Sequence, residues 1–461
     1  MQSPFDIAAD LDTPVSAYLK LRNLSPRFLL ESVEGGERLA RYSFIGFGDA
    51  LDVRLDEDGL RIADVLHPKP ANASDYLDAL RDALSRAPAA SNEVPGLPFN
   101  GGLVGVSGYD VVRLFENLPG NKPSAAGLPV AAFCATSSVL VFDHLSRRVA
   151  LLHDGSAAER ASLRKQVIRL LRGAVPANGA ALTVPAPGAN MSEKQFAERV
   201  TACKEYIAAG DIYQIVISVL FNGRSNVPPF EVYRALRLLN PSPYMFYLEF
   251  GDLKVIGSSP EALVKLKGRS AMLRPIAGTL PRGSTTEEDL HNEEQLLADP
   301  KESAEHVMLV DLARNDLGRV AAPGSVRVDP FRAIERYSHV MHIVSGVQGE
   351  LKPGFDAFDL FAACFPAGTL VGAPKVRAMQ IIDELEPAGR GLYGGTAGYF
   401  GSTGDMDQAI TIRTVVFNGD EFSLQAGAGI VADSTPDKEY REVLAKAATL
   451  KRALEIAGEG L

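Results

Sequence analysis

Hydrophobic and polar positions along the chain recur with two different periods, and the change from one to the other marks out the elements. A period of roughly 3.6 residues predicts helices at Thr13–Leu21, capped by Thr13-Pro14, and at Asp75–Ala87, with Leu77, Leu80 and Leu84 on one face. The same signal covers Ala157–Leu171 and Ser192–Ala209, where Phe196, Val200 and Cys203 make the apolar stripe. Short runs rich in β-branched and aromatic residues predict strands at Arg27–Val33 and Tyr42–Gly46. Ala131–Phe142 and Arg148–His153 form a hairpin that turns near Asp143–Arg147. Further strands are predicted at Gln214–Phe221, Met245–Phe250, Lys254–Ser258, Leu263–Leu266, Ser338–Gln348, Gly394–Phe400, Ala409–Asn418 and Glu421–Gly427. Hairpin spacing dominates and long helices are inserted, which predicts an α+β fold of mainly antiparallel sheets. Val175–Asn190, rich in Pro, Gly and Ala, reads as a linker.

Two helical segments share one design. In Asp299-Pro300-Lys301-Glu302-Ser303-Ala304-Glu305, Asp299 can cap the helix, Pro300 suits its first position and Glu302 has capping-box spacing. Glu302 and Glu305 then share a face, with Cβ atoms roughly 5–6 Å apart. Thr435-Pro436-Asp437-Lys438-Glu439-Tyr440-Arg441-Glu442 repeats the arrangement with Glu439 and Glu442. Acidic residues in a first turn ordinarily do no more than complement the helix dipole, so either pair alone says little. Two pairs together can place four oxygens around one hard cation such as Mg2+.

Other segments carry chemistry more weakly. Gly427-Ala428-Gly429 follows a predicted strand and reads as a turn whose bare amides can approach an anionic group. Arg413 lies in the mostly apolar strand Ala409–Thr414, where it is either a paired structural ion or a carboxylate clamp. Tyr393 can donate a hydroxyl to the same ligand or pack as a core tyrosine. Glu261, just after a strand, becomes a general acid if an apolar pocket keeps it protonated; a solvated helix start is the plainer alternative. His339 and His342 are read on a strand, facing opposite sides, so they do not chelate a metal together. Gly368–Lys375 lacks the GK[ST] ending of a phosphate loop, and Pro374 removes a donor where one is needed. Gly101–Gly105 lacks both the GxGxxG spacing and a following helix, so neither stretch is a nucleotide site.

Composition narrows the classes. A chain of 461 residues with 46% apolar and 23% charged residues is ordinary for a globular protein with a large core. A formal charge of −10 offers no net positive field to attract nucleic acid. Cys134, Cys203 and Cys364 are too scattered for a disulfide framework or a zinc site. No stretch approaches the roughly 18 uninterrupted apolar residues of a membrane span, and the first twenty or so carry Asp6, Asp10 and Asp12 instead of a signal peptide. A reducing, cytoplasmic compartment is expected.

Arg274–Thr279, Glu302–Asp316, Phe365–Met379, Tyr393–Gly398, Gly427–Gly429 and Glu439–Lys446, in this order, resemble the chorismate-utilising enzymes, and among them the anthranilate synthase large subunits. Leu29–Ser32 and Arg41–Gly46 extend the resemblance over nearly the whole chain. It implies large, mainly antiparallel sheets packed as a sandwich with flanking helices. Residues 1–175 would be a tryptophan-binding regulatory region and residues 190–455 a chorismate-binding catalytic domain. It further implies Mg2+ on Glu305 and Glu442, backed by Glu302 and Glu439, with Gly278, Thr279, Tyr393, Arg413, Gly427, Ala428, Gly429 and Lys446 holding chorismate. Glu261 would protonate the departing C4 hydroxyl, ammonia would add at C2, and His342 would act near C4 or C2 as pyruvate leaves. Gln214 occupies the position at which water-adding relatives carry a lysine base, and glutamine cannot deprotonate water at neutral pH. Ala277 replaces the nucleophilic lysine usual in aminodeoxychorismate synthases. Tryptophan would sit between Glu31 and Ser32 on one wall and Pro243, Tyr244 and Met245 on the other. Ammonia would come from a separate glutamine amidotransferase small subunit. Leu280 and Val371 depart from the family pattern. An aminodeoxychorismate synthase lacking the lysine, and a non-catalytic paralogue binding chorismate or tryptophan, are the alternatives.

Overall fold

The computed structural model describes residues 5–32, 41–90, 94–120, 122, 127–176, 182–336 and 340–461. Among them, 21 strands join in one hydrogen-bonded network, while Ile276–Pro281, Ala333–Arg336 and Val340–Val344 form a separate three-stranded sheet. The pairings are antiparallel, as hairpin spacing predicts.

Strand periodicity sorts the core. Successive side chains of a strand point to opposite faces, and here they enter two different clusters. Phe28, Phe44, Val104, Phe246, Val255 and Val416 pack in one; their neighbours Leu29, Ile45, Leu103, Tyr247, Ile256 and Val415 pack in the other. The first cluster consists mostly of strand residues joined by Val94, Leu97, Phe99 and Leu392. The second also takes in Leu80, Phe230, Phe361, Val443 and Leu450 from helices. Sheet therefore faces sheet on the inside and helices cover the outside, a sandwich with flanking helices. Phe99 spans the interior, with ring centroids 5.5 Å from Phe44 and 4.8 Å from Tyr399.

Both halves of the chain contribute to the large network. Glu31 pairs with Met245, and Gly105 with Gly398. Part of the predicted linker belongs to it as well: Gly188–Ala189 pairs with Phe221 and Asn222, and the Leu182 amide donates to Gly458 O at 2.7 Å.

Four local expectations are corrected. The predicted strand Ser338–Gln348 is two strands in different sheets, Val340–Val344 and Val347–Glu350, because the chain bends at Ser345-Gly346. A Cβ at Gly346 would sit 2.4 Å from Asp329 O, so backbone packing fixes the bend. Ala409–Asn418 likewise divides into Met406–Ile410 and Thr414–Asn418, which leaves Arg413 between strands with a left-handed φ of 50°. Gly427-Ala428-Gly429 is no turn; it lies inside the strand Glu421–Ile430, opposite Ser218, Ile217 and Val216. At the two acidic helices, Asp299 caps by accepting from the Lys301 and Glu302 amides, Glu302 does not reciprocate, and Thr435 stands at its N-cap without a side-chain bond. Among the described residues no helix is long and apolar enough to cross a membrane.

Candidate active site

One pair of strands forms the floor of the site. Gln214–Arg224 runs antiparallel to Glu421–Ile430, so Gln214, at the end of its strand, lies beside Gly429. The two glycines on this floor leave room for neighbouring side chains. A Cβ at Gly429 would stand 2.9 Å from Gln214 Nε2, and one at Gly427 would stand 2.8 Å from the Tyr393 hydroxyl.

The two acidic helices, Pro300–Gly318 and Pro436–Glu459, converge on this floor. Gln214 Nε2 donates to Glu305 Oε1 at 3.2 Å. Lys446 Nζ donates to Gly427 O at 3.0 Å and pairs with Glu442 at 2.7 Å, one helical turn away as the sequence spacing implies. Glu439 is buried on the same helix. The Glu302 carboxyl reaches the other side, where a Cβ on Gly278 would lie 3.2 Å from its Oε2. Burial, then the like charge of Glu305, raises the Glu302 pKa, while Lys438 from the second helix acts in the opposite sense. The two helix starts are thus close enough to feel each other's charge. Among the described residues no three His, Cys, Asp or Glu side chains are grouped closely enough to hold a metal, so the four glutamates surround the floor without forming one cluster. Their carboxylate oxygens are the hard donors a divalent cation takes, and Glu302 already feels the like charge of Glu305.

Beyond Gly278 the chain continues to His342. Its Nδ1 lies 3.0 Å from Gly278 O and 3.0 Å from Thr279 Oγ1. A carbonyl only accepts, so Nδ1 carries the proton and Nε2 is the basic nitrogen. His339 lies outside the described residues.

Glu261 lies between the strands Leu253–Ser259 and Ala262–Lys267, against the later turns of the Pro300–Gly318 helix. Its carboxyl lines a pocket walled by Leu263, Leu273, Leu309, Leu312 and Ala313, and burial pushes its pKa up to about 7. The Thr369 hydroxyl donates to Glu261 Oε1 at 3.1 Å and partly opposes that rise. Nothing in the sequence pointed to Thr369, since its partner lies in a distant segment and Gly368–Lys375 was considered only as a phosphate loop.

Arg413 and Tyr393 complete the arrangement. Arg413 is half-buried and makes no ion pair among the described residues; burial lowers its pKa and the Tyr393 ring favours its charge. The paired structural ion expected as one alternative for Arg413 is therefore not seen among the described residues. Tyr393 is itself held neutral by burial.

The proposed tryptophan walls also meet. Glu31 is buried beside Met245, accepts from Tyr233 Oη and is paired with Arg237 at 3.2 Å. Tyr244 Oη donates to Asp407 at 3.1 Å, and Ser32 is half-buried at the end of its strand, one residue after Glu31.

Comparison with known proteins decides the family. The family model of the chorismate binding enzymes matches residues 25–452. The chain is 46% identical to anthranilate synthase component 1 of Thermus thermophilus, over 98% of this chain and 97% of that one. It is 44% identical to the component 1 protein of Acetivibrio thermocellus, over 98% and 95%. The chain belongs to the anthranilate synthase component 1 family of chorismate binding enzymes. The crystal structure of the family member from Streptococcus pneumoniae TIGR4 superposes with a TM-score of 0.80 at 36% identity, covering 89% of this chain and 92% of that one. MenF, the menaquinone-specific isochorismate synthase of Escherichia coli, shares the fold with a TM-score of 0.69 at 20% identity, over 95% and 91%. Membership makes the chain a chorismate-utilising enzyme of the lyase kind.

The Glu261 environment gives a sign for stability. Unfolded, the carboxyl releases its proton near 4.5; folded, it keeps it to about 7. Between those values the folded state binds more protons, so stability falls as pH rises through that window. Unfolding free energies of the wild type minus those of Glu261→Gln, measured by denaturant titration across this range, should decline with pH. A flat difference would show Glu261 to be solvated.

Proposed function

We propose that the chain is the ammonia-dependent large subunit of an anthranilate synthase, aminating chorismate at C2 and eliminating pyruvate to give anthranilate for tryptophan biosynthesis. The observation that carries this reading is Glu261, which stays protonated to about pH 7 in an apolar pocket. Glu261 gives its proton to the C4 hydroxyl, which departs as water while the ammonia nitrogen bonds to C2. The extra ammonium proton returns the acid to its starting state. His342, with its Nδ1 proton directed at Gly278 O, takes the C2 proton on Nε2 as the ring carbon–oxygen bond of the enolpyruvyl ether breaks and the ring becomes aromatic. The enolpyruvate that departs takes up one proton at its methylene carbon to become pyruvate, which leaves His342 neutral again.

The substitutions at the branch points support amination over water addition. Gln214 uses its amide as a donor to Glu305 and offers no base. Ala277 presents only a buried methyl group where a covalent route needs an amine. Tyr393, Arg413, Lys446 and the Gly427–Gly429 backbone hold the substrate beside Gly278 and Thr279. Glu302, Glu305, Glu439 and Glu442 would hold Mg2+. Bound there, the ion would supply Lewis-acid polarisation of the ring carboxylate.

Ammonia is supplied by a separate glutamine amidotransferase subunit. Burial pushes the thiols of Cys134 and Cys203 up to about 12 and Cys364 higher still, the reverse of what a glutaminase nucleophile needs. Tryptophan binds in residues 1–175 and against Pro243–Met245, and inhibits by favouring a state with lower affinity for substrate. The strand pairing of Glu31 with Met245 joins these walls to the same sheet as Gln214.

Purified chain, given chorismate, ammonium and Mg2+, should produce anthranilate fluorescence that EDTA abolishes and that glutamine alone does not elicit. Glu261→Gln should lower turnover by about 10²-fold or more while chorismate still binds. Release of an amino-chorismate, or full activity in Glu261→Gln, would overturn the assignment. In the same assay Ser32→Phe should keep the uninhibited rate and lose inhibition by tryptophan. Wild-type sensitivity in that variant would remove Ser32 from the effector site.

A further inference from the structure

A second buried constellation lies directly behind the floor of the site. Arg390 and Glu386 are each only 3% exposed and form a two-point ion pair, with Nε to Oε2 at 2.9 Å and Nη2 to Oε1 at 2.7 Å. The remaining donors of the guanidinium are not spent on solvent. Nη1 donates to Leu370 O at 2.7 Å and Nη2 to Val216 O at 2.8 Å. The guanidinium carbon also lies 5.8 Å from the Tyr393 ring centroid and 4.9 Å from that of Tyr109. Glu386 Oε1 in turn accepts from the Ser218 amide at 2.8 Å and its hydroxyl at 2.7 Å.

Each contact leads to a different part of the site. Leu370 ends the short turn Gly368–Leu370 that carries Thr369, the partner of Glu261. Val216 is two residues from Gln214 and pairs with Gly429, and Ser218 pairs with Gly427. Tyr393 places its hydroxyl against Gly427. We propose that Arg390, oriented by Glu386, is a positioning residue for the reaction, its planar fork fixing the Thr369 turn, the Gln214 strand and the Tyr393 ring in one mutual register. Only a guanidinium reaches all of these at once, because its donors radiate in a fixed plane while its face remains open to aromatic rings. Stability alone does not call for such a pair, since apolar residues of similar volume often replace a buried ion pair without loss.

This inference rests on the proposed reaction, and the test separates the two. In the double variant Glu386→Leu/Arg390→Met the pair is removed as a unit, so the fold should survive. Its kcat for anthranilate formation should fall by about 10²-fold, the cost of misplacing groups by about 1 Å. A second readout needs no turnover: the Glu261 carboxyl titration, followed by difference infrared spectroscopy against Glu261→Gln. The other titratable groups lining its pocket, Arg274, Asp316 and Cys364, are left in place. With the Thr369 turn released, the ionised form loses a hydrogen bond, so the Glu261 titration should move to higher pH. Thr369→Val should reproduce the shift and add nothing to it in the triple variant. A folded double variant with unchanged kcat and unchanged titration would overturn the proposal. If the double variant does not fold, Arg390→Lys, which keeps the charge and loses the fork, is judged by the same titration. An inactive wild type would instead remove the proposed reaction and leave the infrared result to decide the role of Arg390.

Discussion

The convergence of two carboxylate-bearing helices, Pro300–Gly318 and Pro436–Glu459, on one pair of strands is the constraint from which the rest of the site follows. The helix starts are close enough for Lys438 on one to act on Glu302 of the other, and Glu302 already feels Glu305. Such an arrangement costs stability unless something positive enters. The fold supplies part of the compensation locally: Lys446 takes Glu442 and the Gln214 amide takes Glu305. Glu302 and Glu439 make no ion pair among the described residues, although Lys301 and Lys438 act on Glu302. A protein kept for stability alone would have little reason to hold four acids around two glycines.

The acid is separated from this charge. Glu261 keeps its proton because of burial in a pocket that Leu263, Leu273, Leu309 and Leu312 help to wall. One helix serves both regions: its first two turns carry Glu302 and Glu305, and two turns later Leu309 and Leu312 wall the Glu261 pocket. The protonation of Glu261 is thus set by its own apolar surroundings. Arg413, half-buried and without an ion pair among the described residues, adds a cation on the Tyr393 side.

Much of this was legible in the sequence, for identifiable reasons. The Ser192 helix could be read to the residue because its stripe of Phe196, Val200 and Cys203 follows the helical period and is the buried face. The Asp299 and Pro300 signals placed the first acidic helix. What escaped were features set by distant backbone. The bends at Ser345-Gly346 and at Arg413 interrupt apolar runs that locally read as single strands, and the first is fixed by Asp329, far away in the chain. Gly427–Gly429 read as a turn because glycine is common there, whereas their absent side chains make room for Tyr393 and Gln214. Thr369 carried no signal of its own, and nothing in the sequence singled out the buried Arg390–Glu386 pair. Family resemblance assembled the site residues; the strand pairing explains why they meet.

The central claim is that the four glutamates take one cation between them. Crystals soaked with Mn2+ and chorismate, examined at the manganese absorption edge, test it most directly. The account predicts a single anomalous peak between the Pro300 and Pro436 helices, bonded to carboxylates from both, and its loss in Glu305→Gln/Glu442→Gln. A peak bonded to only one helix, or none with chorismate bound and the site otherwise intact, would contradict it.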